Sequence, residues 1–216
     1  AALLDYESDT LLYERSADAV VPPASLTKLM TVHLALLAAE QGRFDLKGRH
    51  AIPEEAWAAN QPPGSSLMFL GPGQRATGED LLYGLAVSSG NDAAVAVATL
   101  VAGGVEQFVA EMNREASRLG YRHFHFEDPA GLSAENGATA RELADFVSYL
   151  LSRHPDILRY FSRRRFTYPR EENLLPGGTQ RPITQENRNL LLRSYPGADG
   201  FKTGYIEASD YNLIGT

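Results

Sequence analysis

From Leu26 to Leu37 apolar residues occupy nearly every face of a helical wheel, and the run stops at Gln41-Gly42, where glycine offers a C-terminal stop. A helix that is apolar all round is a buried one. Pro22 and Pro23 hold the backbone extended up to Ala24, and Ser25 stands where an N-cap or first-turn residue belongs. Farther along, Val105, Phe108, Val109, Met112, Ala116 and Leu119 recur at helical spacing, and Gly120 closes that amphipathic helix. A second all-apolar helix is predicted from Ala93 to Ala102, ending at Gly103-Gly104. Thr77-Gly-Glu-Asp80 and Thr139-Ala-Arg-Glu142 have capping-box spacing. The first opens a helix through Val87, the second a helix to about Arg153, and Pro155 starts a shorter one. Pro53 suits a first helical position, so Ile52 to Asn60 predicts a short helix, with Trp57 as a partly buried anchor.

The ends of the chain carry the period of strands. Ala1 to Tyr6 and Leu11 to Tyr13 form an opening hairpin around polar residues 7–10. Past Arg164, Phe166, Tyr168, Ile183 and Leu190 to Leu192 lie in short runs separated by proline and glycine turns. Gly200 to Ile206 and Tyr211 to Thr216 read as a final hairpin. Strands at both ends with helices between predict an α+β fold: an antiparallel sheet flanked by helices, with an inserted helical lobe over about residues 40–165 of a single domain 1–216. The last run ends on apolar residues and would leave a pairing edge, so a further strand and helix are expected outside these residues.

Composition narrows the function classes. A net charge of −7 argues against a nucleic-acid surface, which needs clustered Lys and Arg. Arg163-Arg164-Arg165, followed by Glu171-Glu172, reads as a solvated hairpin or turn. The absence of cysteine removes disulfides, thiolate catalysis and thiolate metal sites. No stretch approaches the roughly 18 apolar residues that span a bilayer. Neither metal nor cofactor is expected. His33 reads as a core histidine, and His123 and His125 beside Glu127 and Asp128 as exposed strand residues rather than zinc ligands.

Candidate chemistry begins at the buried helix, where Ser25 and Lys28 stand three residues apart on one face. A lysine there costs several kcal/mol, on the order given by charge burial, unless it is paired or neutralised. Two further triplets follow in order: Ser89-Gly90-Asn91 between helices and Lys202-Thr203-Gly204 on a strand. Singly, each could be a turn or a solvated strand end. Jointly they resemble the trio of penicillin-binding proteins and class A β-lactamases, whose second motif has Asp in the middle where this chain has Gly90.

The chain resembles the low-molecular-mass penicillin-binding proteins that act as serine-type D-alanyl-D-alanine carboxypeptidases. Beyond the trio, the resemblance rests on Pro23 to Thr31, Ser89 to Ala94, Pro129 to Leu132, Thr139 to Arg141, Asn187 to Leu191 and Asp199 to Gly204. It implies Ser25 as nucleophile and Lys28 as its base, with Lys202 bringing a second cation close. Ser89 would pass a proton to the leaving amine, and Asn91 would hold Lys28 and the substrate amide. Lys202 and Thr203 would grip the terminal carboxylate. Gly204 would let substrate lie against the strand, and the N–H groups of Ser25 and Tyr205 would form the oxyanion hole. Implied partners are a peptidoglycan stem peptide ending in D-Ala-D-Ala and β-lactam inhibitors, at an extracytoplasmic location. Peripheral membrane attachment would lie in a region outside this chain. The family often has His or another aromatic and then Thr after Lys-Thr-Gly; here Tyr205 and Ile206 stand there. A D,D-endopeptidase that cuts cross-links would use the same residues. A class A β-lactamase would need a Glu-x-x-x-Asn segment between the second and third motifs, and none is present.

Overall fold

The computed structural model describes residues 1–216. Helix α1 (Lys28–Glu40) runs through the middle of one continuous apolar core, with nine of its residues buried. Around it lie α2 (Gly78–Tyr83), which continues as a wider π-type turn over Gly84–Ser88, α3 (Asn91–Ala102) and α4 (Val105–Leu119). Helices α5 (Ala140–Arg153) and α6 (Leu158–Phe161) complete this set. Both threonine caps form: Thr77 makes the full reciprocal box with Asp80, and the Thr139 hydroxyl accepts from the Glu142 N–H. The Glu142 carboxylate turns instead to the N–H groups of Arg122 and His123.

The strands form four antiparallel hairpins: β1 (Ala2–Asp5) with β2 (Thr10–Glu14), β3 (Arg49–Ala51) with β4 (Arg75–Thr77), β5 (Arg165–Tyr168) with β6 (Ile183–Glu186), and β7 (Phe201–Ile206) with β8 (Asp210–Gly215). The α+β class with antiparallel strands is as expected. No ladder joins the first hairpin to the last, however. Their facing edges are separated by a groove of about 540 Å³, floored by Leu143, Val147 and Leu151 of α5.

Four local expectations change. Ser25 is not an N-cap: Ala24–Thr27 forms a 3-10 turn ahead of α1, entered through Ala24 at φ +51°. Residues 52–60 make two 3-10 turns instead of a helix, because the Ala58 N–H is drawn to the Leu70 carbonyl (2.7 Å) and Trp57 is left extended. Leu190–Leu192 is not a strand. Asn189 Oδ1 accepts from the Leu191 N–H (3.1 Å), starting the short helix α7 (Leu191–Ser194). Helix α3 begins at Asn91, two residues earlier than its apolar run, which places Asn91 in the helix's first turn.

Candidate active site

The 3-10 turn lifts Ser25 half into solvent, while Lys28, one turn on, is fully buried. Lys28 Nζ donates to Asn91 Oδ1 (2.8 Å) and to the Ala130 carbonyl (2.6 Å), and lies 3.1 Å from Ser25 Oγ. Two of its neighbours are carbonyl oxygens that can only accept. A neutral amine has two N–H bonds and one lone pair. With both hydrogens held by Asn91 and Ala130, the lone pair is left facing the serine hydroxyl.

Burial pushes the Lys28 ammonium down to about 7, against the opposing charges of Asp128 and Asp92 and with help from Arg188. Each acid also builds a wall of the site. Asp128 accepts from the N–H groups of Ala130, Gly131, Leu132 and Ser133 and from the Asn136 side chain. Burial raises its carboxyl, but these donors outweigh that and hold it below the usual range. They also aim the Ala130 carbonyl at Lys28, while Thr31 of α1 donates to the Pro129 carbonyl (2.6 Å). Asp92 receives N–H groups from Met68, Leu70 and Ala93, tying the 66–70 segment to the start of α3. Burial nevertheless pushes its carboxyl up.

Ser89 closes the π-type turn in the left-handed region (φ +55°), a strained setting for a non-glycine residue. Its hydroxyl accepts from Lys202 Nζ at 2.9 Å, and Lys202 also donates to the Thr203 carbonyl. Lys202 is almost wholly buried. Desolvation first, then the charges of Lys28 and Arg188, push its pKa well below the ordinary value. Gly204 passes so close to the Ser25 backbone that an added Cβ would lie 2.9 Å from the Ser25 nitrogen. Thr203 is half-buried, and Tyr205 lies exposed against Tyr211 with ring centroids 4.8 Å apart.

Ser25, Lys28, Ser89, Asn91, Lys202 and Gly204 therefore meet around one cleft, Thr203 and Tyr205 continuing its β7 wall. Three contributors were not singled out from the sequence. Asp128 and Ala130 sit in or beside the Pro129–Leu132 block, and Arg188 lies inside the Asn187–Leu191 block. Arg188 is exposed between buried Asn187 and Asn189 and acts electrostatically on both lysines. Its signal was the Asn-Arg-Asn triplet, an arginine between two turn-forming residues.

The histidines lie elsewhere. His33 is a buried core residue bonded to His154 and Glu115, 2.9 Å each. His123 and His125 are exposed on a loop rather than a strand, facing Glu142 and Glu127.

A family model described as D-alanyl-D-alanine carboxypeptidase matches residues 1–216. The chain is 36% identical over 216 residues to D-alanyl-D-alanine carboxypeptidase DacA of Escherichia coli, covering 98% of this chain and 51% of that protein. It is 34% identical over 214 residues to D-alanyl-D-alanine carboxypeptidase DacF of Bacillus subtilis, at 99% and 52% coverage. It thus spans about half the length of these relatives. Penicillin binding protein 5 from Haemophilus influenzae superposes with a TM-score of 0.89 at 34% identity, over 99% of this chain and 59% of that one. Penicillin-Binding Protein D2 from Listeria monocytogenes in its ampicillin-bound form gives 0.80 at 29% identity, over 99% and 81%. By sequence over its whole length and by fold, the chain belongs to the D-alanyl-D-alanine carboxypeptidase family.

Proposed function

We propose that residues 1–216 form a serine D,D-peptidase domain that removes the terminal D-alanine from peptidoglycan stem peptides and is acylated by β-lactams. We place it outside the cytoplasmic membrane, where that polymer lies, with any membrane attachment carried by a region outside these residues. The observation that carries this reading is the position of Lys28 Nζ, 3.1 Å from Ser25 Oγ and otherwise bonded only to two carbonyl oxygens.

A serine hydroxyl needs a base to become a nucleophile, and a lysine held near 7 is half neutral at neutral pH. Ser25 gives its proton to Lys28 Nζ as Oγ attacks the carbonyl between the two D-alanines. The C–N bond then breaks, the leaving amine takes a proton delivered through Ser89, and an acyl-Ser25 ester remains. Water hydrolyses the ester and restores the hydroxyl.

Burial works against an ammonium charge on either Lys28 or Lys202, and the charge of Lys28 works against one on Lys202 as well. A substrate carboxylate arriving beside Lys202 and Thr203 favours the proton there and leaves Lys28 as the free base. The N–H groups of Ser25 and Tyr205 receive the developing oxyanion; one such donor contributes about 2.7–4 kcal/mol.

Mass spectrometry after incubation with penicillin tests the reading: an adduct on the peptide containing Ser25 is expected, persisting for minutes or longer. No adduct, or an adduct on another peptide, overturns it, and rapid catalytic release would mark a β-lactamase. D-alanine release from a pentapeptide supplies the second arm.

A further inference from the structure

The Arg163-Arg164-Arg165 triplet takes no part in the chemistry of Ser25, and the acidic pair that follows it in sequence does not cover it: Glu172 turns to Arg170 (2.8 Å). The three arginines instead meet Arg193 and Glu186 around an open concavity of about 480 Å³ whose wall contains no apolar side chain. Arg165 and Arg193 each give one nitrogen to Glu186. Arg163 donates through Nε to the Arg165 carbonyl (3.2 Å) and lies over the Tyr83 ring. The Arg164 guanidinium has no hydrogen bond or ion pair within the chain. Four exposed guanidinium groups thus share one carboxylate, in a chain whose net charge is −7.

The backbone, not the search for partners, brings these cations together. The Asn187 N–H donates to the Arg164 carbonyl (2.8 Å). Its buried side chain donates to the carbonyls of Phe161 (3.2 Å) and Arg163 (3.0 Å), which fixes the turn that carries Arg163 and Arg164. Arg165 stands opposite Glu186 in the β5–β6 ladder, and Arg193 projects from α7, whose start Asn189 sets. Like charges held together this way repel, and an anion between them relieves that repulsion.

The wall selects the kind of anion. It offers nothing to an apolar ligand. Outside residues 159–202 the chain has eleven basic and twenty-three acidic side chains, which repel an extended polyanion and favour a compact charge. A carboxylate already sits there and satisfies only two of the four arginines. A phosphate brings a charge of about −1.5 to −2 and three strong acceptor oxygens, enough to engage several guanidinium forks at once. Exposed ion pairs contribute little, so Glu186 gives up Arg165 and Arg193 readily.

We infer that this pocket binds a phosphate group, borne by a small soluble phosphate or by a lipid headgroup, with Arg164 as its unpaired ligand and Glu186 as the carboxylate that the phosphate displaces. The site stands apart from the reading of the cleft: none of its side chains is hydrogen-bonded to Ser25, Lys28, Ser89 or Lys202.

Calorimetric titration with pyrophosphate at low ionic strength tests it. Saturable binding at one site is expected, about tenfold tighter than binding of citrate. Arg164→Gln weakens it by about tenfold, the scale of one charge-assisted hydrogen bond. Arg164→Glu, at an exposed side chain without partners, abolishes it, and Glu186→Gln tightens it by removing the competing carboxylate. Binding collapses at about 1 M salt, where the Debye length is about 3 Å. D-alanine release and penicillin labelling stay unchanged in all three variants, which also shows that each is folded. Sedimentation with vesicles identifies the source. Capture by phosphatidylglycerol in phosphatidylcholine but not by phosphatidylcholine alone, lost in Arg164→Glu and reversed by pyrophosphate, supports the site with a headgroup as ligand. Pyrophosphate binding without capture supports it with a soluble phosphate. No saturable binding of pyrophosphate, equal affinity for citrate, or binding that survives Arg164→Glu overturns the site and leaves the cleft reading intact.

Discussion

Helix α1 buries Lys28 in its first turn and His33 five residues later, and both side chains are fully enclosed. Burial depresses the pKa of each. Their partners differ. Both ring nitrogens of His33 are engaged, by His154 and by Glu115, and Arg118 closes on the two Glu115 oxygens at 2.7 Å. That network is complete and has no hydrogen bond to Ser25, Lys28 or Lys202. Lys28 instead has two acceptors for its hydrogens and a half-exposed hydroxyl opposite its lone pair. A buried ionisable group acquires chemistry when its hydrogen bonding is left one partner short beside solvent; with every partner in place it supplies packing.

Changes at the open end should abolish chemistry and leave the fold standing. Ser25→Ala removes the only atom to which the acyl group can attach, so penicillin labelling and D-alanine release are both expected to vanish. Persistence of either would remove Ser25 from the mechanism. Lys28→Met should slow acylation by about 10²–10⁴-fold, the usual worth of a general base. Lys28→Arg should be no better, because a guanidinium stays protonated and has no lone pair to offer. Rescue by arginine, followed as the rate of penicillin labelling, would show that Lys28 acts only through its charge.

The same contrast governs what the sequence reveals. Ser25, Lys28, Ser89, Asn91 and Lys202 could be read because each sits in a short motif with a fixed local setting. Such settings survive without knowledge of tertiary contacts. Ala130 acts through a backbone carbonyl, and Asp128 through five donors gathered from an irregular loop, so neither shows in residue type or periodicity. His33 read correctly as a core residue, but Glu115 and His154 come from α4 and the end of α5, 82 and 121 residues away. Helices with strong caps or amphipathic faces, such as α4 and α5, were legible almost to the residue. Residues 52–60 and 190–194 were not, because a long-range carbonyl and an asparagine side chain decide their local geometry.

The pH dependence separates the two ends less drastically. Acylation needs neutral Lys28, so its rate should rise with pH through about 7. Asp128 opposes the depression of the Lys28 pKa, so Asp128→Asn should lower that pKa further and move the acid limb to lower pH. The plateau should fall as well, since an amide cannot replace all the acceptor bonds that aim Ala130 at Lys28. Stopped-flow labelling with a chromogenic cephalosporin between pH 5 and 9 reads both. An unmoved limb would mean that Asp128 shapes the loop without setting the charge of Lys28.

At the closed end pH should act on stability alone. Burial, then the charge of His33, holds His154 down to about 4 against an ordinary 6.5. Between those values the unfolded chain accepts a proton that the folded chain refuses. Acidification through that window therefore destabilises the fold, and above 6.5 His154 no longer makes stability depend on pH. Because His33 is depressed as well, replacing one histidine removes only part of the slope. His154→Gln should flatten the fall in melting temperature between pH 6.5 and 4 by a few degrees, on the order of 1 kcal/mol at about 2–4 °C per kcal/mol. Penicillin labelling of the folded variant at pH 8 should match the wild type. If labelling slowed while the melting curve kept its slope, the two ends of α1 would be coupled through the helix, and their separation into a chemical and a structural site would fail.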